Sequence, residues 1–158
     1  MRIKSIALVF AGVFAALMMS AAPSAAYGDN PNDGKIYKCG RNGNFPLCVY
    51  WGSNHTGAKV GIFGKVHNYD ANPWNCSSQG CGKYWYSEGE NLKGYGTYVK
   101  NNTASVYNYN DTSTRVFFNS GWGGPSDEWD PWGWGTYFGN LNATFNDNAS
   151  QARVCGEC

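Results

Sequence analysis

The chain has 158 residues, a formal net charge of +1, and only 15% charged residues. That length suits one ordinary domain, and a near-neutral chain without a basic run argues against nucleic acid or an anionic membrane surface as partner. Beyond residue 26 the leucines are Leu47, Leu92 and Leu141 and methionine is missing, while 16% of all residues are aromatic; this excludes a helical bundle and leaves burial to rings.

In chain order, Arg2 and Lys4 precede an apolar run over 6–19, and small residues lead to Ser24-Ala25-Ala26. This is the pattern of a secretory signal peptide over 1–26, with cleavage expected after Ala26. The run is shorter than the ~20 residues that a membrane span needs. Residues 27–158 are then a single secreted, extracellular domain with no membrane contact after signal cleavage. Short β-branched and aromatic runs bounded by Gly, Asn, Asp and Pro follow. They predict antiparallel strands near 47–51, 59–63, 97–100, 105–109, 115–119, 136–138 and 151–155, and so an all-β sandwich.

All six cysteines, Cys39, Cys48, Cys76, Cys81, Cys155 and Cys158, lie beyond the signal peptide. An even count in an exported chain reads as disulfides. Local pairs are expected: Cys39 with Cys48, Cys76 with Cys81, and Cys155 with Cys158. The last spacing is also that of a redox or zinc pair, but it sits at the chain end without the helix or the second close pair that those chemistries use.

A duplication runs through the domain. Val49-Tyr50-Trp51-Gly52-Ser53-Asn54-His55-Thr56-Gly57 reappears without a gap as Val116-Phe117-Phe118-Asn119-Ser120-Gly121-Trp122-Gly123-Gly124. Each copy is followed by a second shared string, Asn101-Asn102-Thr103-Ala104-Ser105 and then Asn146-Asp147-Asn148-Ala149-Ser150. Two landmarks in the same order, twice, indicate a fold of two similar halves. The interval from Gly57 to Asn101 is double that from Gly124 to Asn146, so the first half carries an insertion.

These landmarks resemble the βγ-crystallin Greek key, in which an aromatic is followed seven positions on by a glycine in a folded hairpin, and later by a serine that ties the hairpin down. Tyr50, Gly57 and Ser105 match in the first half, and Phe117, Gly124 and Ser150 in the second. The resemblance implies a disulfide-stapled sandwich of two Greek keys. The first spans about 36–109 with the insertion near 65–96, and the second about 112–154. The signal peptide and the runs Leu47-Cys48-Val49-Tyr50, Val99-Lys100-Asn101-Asn102-Thr103-Ala104-Ser105 and Phe118-Asn119-Ser120-Gly121-Trp122-Gly123-Gly124 are most similar to secreted actinobacterial proteins grouped with a metalloproteinase inhibitor. That implies a monomeric, non-enzymatic inhibitor of extracellular peptidases, with a secreted protease as partner.

The insertion offers an inhibitory loop, Cys76, Ser77, Ser78, Gln79, Gly80 and Cys81, flanked by Trp74 and Tyr84-Trp85-Tyr86. A bridged ring loses little entropy on docking; the same bridge also serves simply to staple a long loop. In calcium-binding members of the family, two Asn/Asp residues precede the serine region. Asn101, Asn102 and Ser105 match, as do Asn146, Asp147 and Ser150, while Val106 and Gln151 depart from the pattern at the next position. No cofactor is required, and calcium is the one candidate. Only Asp147 is charged, and calcium prefers roughly six to eight oxygens, so such a site is weak. The alternative is a pair of Asx-type turns.

Trp122, Trp129, Trp132, Trp134 and Tyr137 crowd together with Asp127, Glu128 and Asp130. This cluster is either aromatic core or a platform for an extracellular glycan, which makes a cell-wall or glycan-binding protein the alternative reading, beside a calcium-binding or structural module. Two carboxylates could serve a glycosidase, but acids this close in a loop are common, and no enzyme is expected. His55 and His67 have no metal-site spacing, and no serine or cysteine stands in a nucleophile elbow.

Overall fold

The computed structural model describes residues 34–41, 43–77 and 80–154, with the backbone alone for 75–77, 80 and 81. The expected signal peptide over 1–26, Ser78, Gln79, Cys155 and Cys158 lie outside the described residues. Among those described, no helix is long and apolar enough to cross a membrane.

Among the described residues ten strands form: β1 (Lys35–Tyr37), β2 (Leu47–Tyr50), β3 (Lys59–Phe63), β4 (Asn72–Ser77), β5 (Gly80–Gly82), β6 (Ser105–Asn108), β7 (Ser113–Asn119), β8 (Gly123–Trp129), β9 (Phe138–Asn140) and β10 (Ser150–Val154). A five-stranded sheet runs β1-β3-β2-β6-β9, a three-stranded sheet runs β10-β7-β8, and β4-β5 is a separate hairpin. All pairings are antiparallel. The period of two puts Leu47 and Val49 of β2, Val60 and Ile62 of β3, and Val106 of β6 into one core with Val66, Val116, Trp129 and Leu141.

The two halves exchange strands. β9 follows the second folded hairpin yet pairs with β6 of the first half, Val106 opposite Gly139. Reciprocally, the segment 66–69 of the first half runs beside β10: Val66 and Gln151 exchange backbone hydrogen bonds of 2.9 Å each way, and Tyr69 N donates to Ala149 O at 3.0 Å. Each half is therefore a Greek key completed on the other's sheet, and the fold is an all-β sandwich of two such keys. Gln151 is buried where they meet. Its Nε2 donates to the carbonyls of Ile62 (3.2 Å) and Gly64 (3.0 Å), and its Oε1 accepts from Tyr69 Oη (2.8 Å). The Cys39–Cys48 disulfide forms, with Cα atoms 5.5 Å apart, pinning the loop before β2 to the outer face of the five-stranded sheet.

Several elements differ from the reading of the sequence: β1, β4, β5 and β8 have no predicted counterpart, and β9 lies at Phe138–Asn140 rather than at 136–138. The run 97–100 is a turn rather than a strand: Gly94 and Gly96 take φ of +91° and +75°, and Tyr98 makes a single isolated bridge to Trp85. β8 was not foreseen, because Gly123-Gly124-Pro125-Ser126-Asp127-Glu128 has loop composition. It is held along β7 from Thr114↔Trp129 to Asn119↔Gly123, with Arg115 and Glu128 paired across the strands.

Candidate functional site

The duplicated hairpins are near-copies in geometry. Asn54, His55 and Gly57 have φ of 53°, 60° and 76°; Gly121, Trp122 and Gly124, at the matching positions, have 80°, 58° and 77°. Ser105 Oγ donates to Gly52 O at 2.6 Å and accepts from His55 N at 3.0 Å. Ser150 Oγ likewise donates to Asn119 O at 2.7 Å and accepts from Trp122 N at 3.2 Å. The sixth hairpin residue also uses its ring in both copies. His55 Nε2 donates to Val106 O at 2.9 Å, which sets its tautomer. Trp122 Nε1 donates to Gln151 O at 3.0 Å and Val66 O at 3.2 Å. His55 and Trp122 are thus hairpin fasteners. Tyr50, against His55, has its hydroxyl pushed up to about 12 by burial, with added repulsion from Tyr109, Glu88 and Tyr107.

The Asn/Asp strings lock the halves together. Asn101 N donates to Asn148 O at 2.8 Å, and Asn146 N to Thr103 O at 2.9 Å, a reciprocal pair across the pseudo-twofold. Asn101 and Asn146 hold φ of 59° and 55°. Buried Asn148 accepts from Thr103 N (3.0 Å) and donates to Val99 O (3.2 Å). Beside each string opens a cleft. One, of about 310 Å³, is lined by Trp51, Gly52, Ser53, Asn101, Asn102 and Asn146 among others. The second, of about 300 Å³, is lined by Lys100, Asn101, Phe118, Asn119, Ser120 and Asp147. Ser105 and Ser150 are buried and committed to the hairpins. The open donors are therefore amides, hydroxyls and carbonyls, plus the Asp147 carboxylate in the second cleft. Lys100, which also lines that cleft, has its Nζ 3.0 Å from Asp70 Oδ2.

The insertion has a rigid root and a separate tip. Tyr69, Tyr84 and Tyr86 are fully buried. Tyr84 Oη donates to Gly34 O at 2.6 Å, and Tyr86 Oη to Asn102 O at 2.9 Å. Lys59 and Glu88 exchange backbone bonds of 3.0 and 2.9 Å, which ties the insertion to β3. Asp70 sits at the root between Lys83 (3.3 Å) and Lys100. Burial works to raise its carboxyl, but the hydrogen bonds and charges of the two lysines outweigh it and hold the carboxyl below its usual range. From this root the hairpin β4–β5 pairs only with itself, and its register sets Cys76 opposite Cys81. Trp74 on β4 is 59% exposed, with Lys35 Nζ 4.4 Å from its ring.

The tryptophan-rich stretch divides. Trp129 is core, accommodated because Gly139 has no Cβ, which would lie 3.1 Å from the indole. Trp122 serves its hairpin. Trp132 and Trp134 are exposed, the latter at 74%. The neighbouring acids hold structure: Asp127 accepts from the backbone of Asn142, Ala143 and Thr144, Glu128 pairs with Arg115, and Asp130 accepts from Thr136 N. Among the described residues no group of three or more His, Cys, Asp or Glu could hold a metal ion.

No family model matches the chain, and no curated protein matches it. One solved structure is similar, described as "Evolution of the eye lens beta-gamma-crystallin domain fold". Its TM-score is 0.47 at 11% identity, over 78% of this chain and 99% of that one. The Greek-key assignment rests on the strand exchange and the paired hairpins described above.

Proposed function

We propose that the protein is an extracellular binding module that inhibits secreted peptidases, of the metalloproteinase class, through the β4–β5 hairpin. The observation that carries this reading is the break in symmetry. Nearly every duplicated feature is spent on the fold, as the serines, His55, Trp122 and the Asn strings demonstrate. The hairpin has no counterpart in the second half, and its register faces Cys76 with Cys81. A bridge between them would hold the tip in one conformation and lower the entropy lost on docking. The ring residues are polar, so apolar contact with a protease falls to Trp74. The resemblance to secreted inhibitors supports the same assignment.

Titration of the exported protein against a panel of secreted metallo- and serine proteases tests it. Cys76→Ser with Cys81→Ser should weaken inhibition at least about tenfold, ~1.4 kcal/mol, with the fold intact. Full inhibition by that variant, or no inhibition by the parent, would remove the assignment.

A second reading is weak calcium binding at the Asp147 cleft, favoured by the recurrence of a cleft beside each Asn string. The lining offers oxygen donors that suit a hard cation but one carboxylate, beside the Lys100 ammonium that pairs with Asp70, which sets low affinity.

A further inference from the structure

Beside the exposed end of the tryptophan stretch lies a buried polar atom that the fold leaves unused. Asn110 is 1% exposed. Its Nδ2 donates to Asn108 Oδ1 at 2.9 Å and to Thr114 Oγ1 at 3.0 Å. These bonds fix the amide's orientation, because turning it over would set its oxygen against Asn108 Oδ1, which is an acceptor only. Asn108 Oδ1 is itself held, since Asn108 Nδ2 donates to the carbonyls of Thr112, Trp129 and Asp130. Asn110 Oδ1 therefore stays buried without a hydrogen-bond partner among the described residues. Native folds rarely leave such a group unpaired.

Asn110 lines a cleft of about 190 Å³ with Arg41, Phe45, Tyr109, Asp111, Trp132 and Trp134. The cleft is smaller than the ~300–1,000 Å³ pockets that enclose whole ligands, so it suits the end of a longer molecule. Its walls are flat rings, and they are braced: the Arg41 guanidinium lies 3.8 Å from the Trp132 ring centre and 5.0 Å from that of Phe45. Trp132 N donates to Asn110 O at 2.9 Å, which fixes the tryptophan loop to the same asparagine. The rim carries one charge of each sign, and Asp111 is already paired with Arg153 at 2.7 Å. An anionic ligand gains little from so balanced a rim. The required occupant has an apolar face for an indole and a hydroxyl donor for a buried carbonyl.

We propose that this cleft binds the terminal pyranose of a neutral saccharide, with a sugar hydroxyl donating to Asn110 Oδ1 and the C–H face of the ring lying on the exposed indoles. The site is independent of the β4–β5 hairpin and of the inhibitor reading.

The test is an NMR titration of the ¹⁵N-labelled exported protein with three probes: N-acetylglucosamine trimer, cellotriose and galacturonic acid trimer. At least one neutral trimer should shift the Trp132 and Trp134 indole N–H signals and the Asn110 side-chain amide. Trp134→Ala, which removes a ring 74% exposed, should weaken that binding at least about tenfold while the melting curve and any protease inhibition stay unchanged. Several results overturn the proposal: no shift with either neutral trimer at millimolar concentration, binding of the uronate trimer alone, equal binding by Trp134→Ala, or shifts that arise only from self-association.

Discussion

Gly57 and Gly124 occupy equivalent corners at φ of +76° and +77°, yet their surroundings differ. A Cβ at Gly57 would lie 2.9 Å from the backbone oxygen of Lys93, whereas one at Gly124 would lie 2.8 Å from Asn119 Nδ2, the end of a side chain. Backbone cannot step aside as a side chain can. Both valine substitutions should destabilise by about 1–3 kcal/mol through φ strain, with Gly57→Val the more costly. Thermal melts in which Gly124→Val falls further, or in which neither falls, would contradict this. The glycine and serine positions were legible because the need for positive φ and for a hairpin tie recurs at fixed spacing. The matching roles of His55 and Trp122 were not, since imidazole and indole share nothing in sequence but a ring N–H aimed at the same carbonyl position.

At the scale of elements, the Asn strings make turns that also bound clefts, and calcium tests what those clefts add. If the Asp147 cleft binds calcium with millimolar affinity, a few times the dissociation constant should raise stability by ~1 kcal/mol. Asp147→Ala should abolish that rise. A melting temperature indifferent to calcium would leave the strings as turns alone. The strand reading succeeded where aromatic and β-branched runs coincide with pairing, as in β2, β3, β6, β7 and β10. It missed the short β1, β4 and β5, and also β8, whose Gly-Gly-Pro start and acidic residues follow from pairing with β7, a tertiary cause invisible to local propensity. Likewise Trp122, Trp129, Trp132 and Trp134 are close in sequence but belong to a hairpin, the core and a surface loop, because β8 carries the chain from one end of its sheet to the other.

For the whole molecule, duplication read from two short strings led to two Greek keys, but the exchange of 66–69 and β9 between halves was not readable. It depends on Gln151 and Tyr69 meeting across the interface, far apart in the chain. The exchange makes the two halves one cooperative body and leaves the insertion as the part free to specialise. Hydrogen exchange of the protein, alone and mixed with a panel of secreted metalloproteinases, is the measurement that bears on that division and on the proposed inhibition. Added protection should fall on β4–β5 and its immediate flanks, with β2, β6, β7 and β10 unchanged. Protection centred instead on the duplicated hairpins 51–57 and 118–124, or on the Trp132–Trp134 surface, would contradict it.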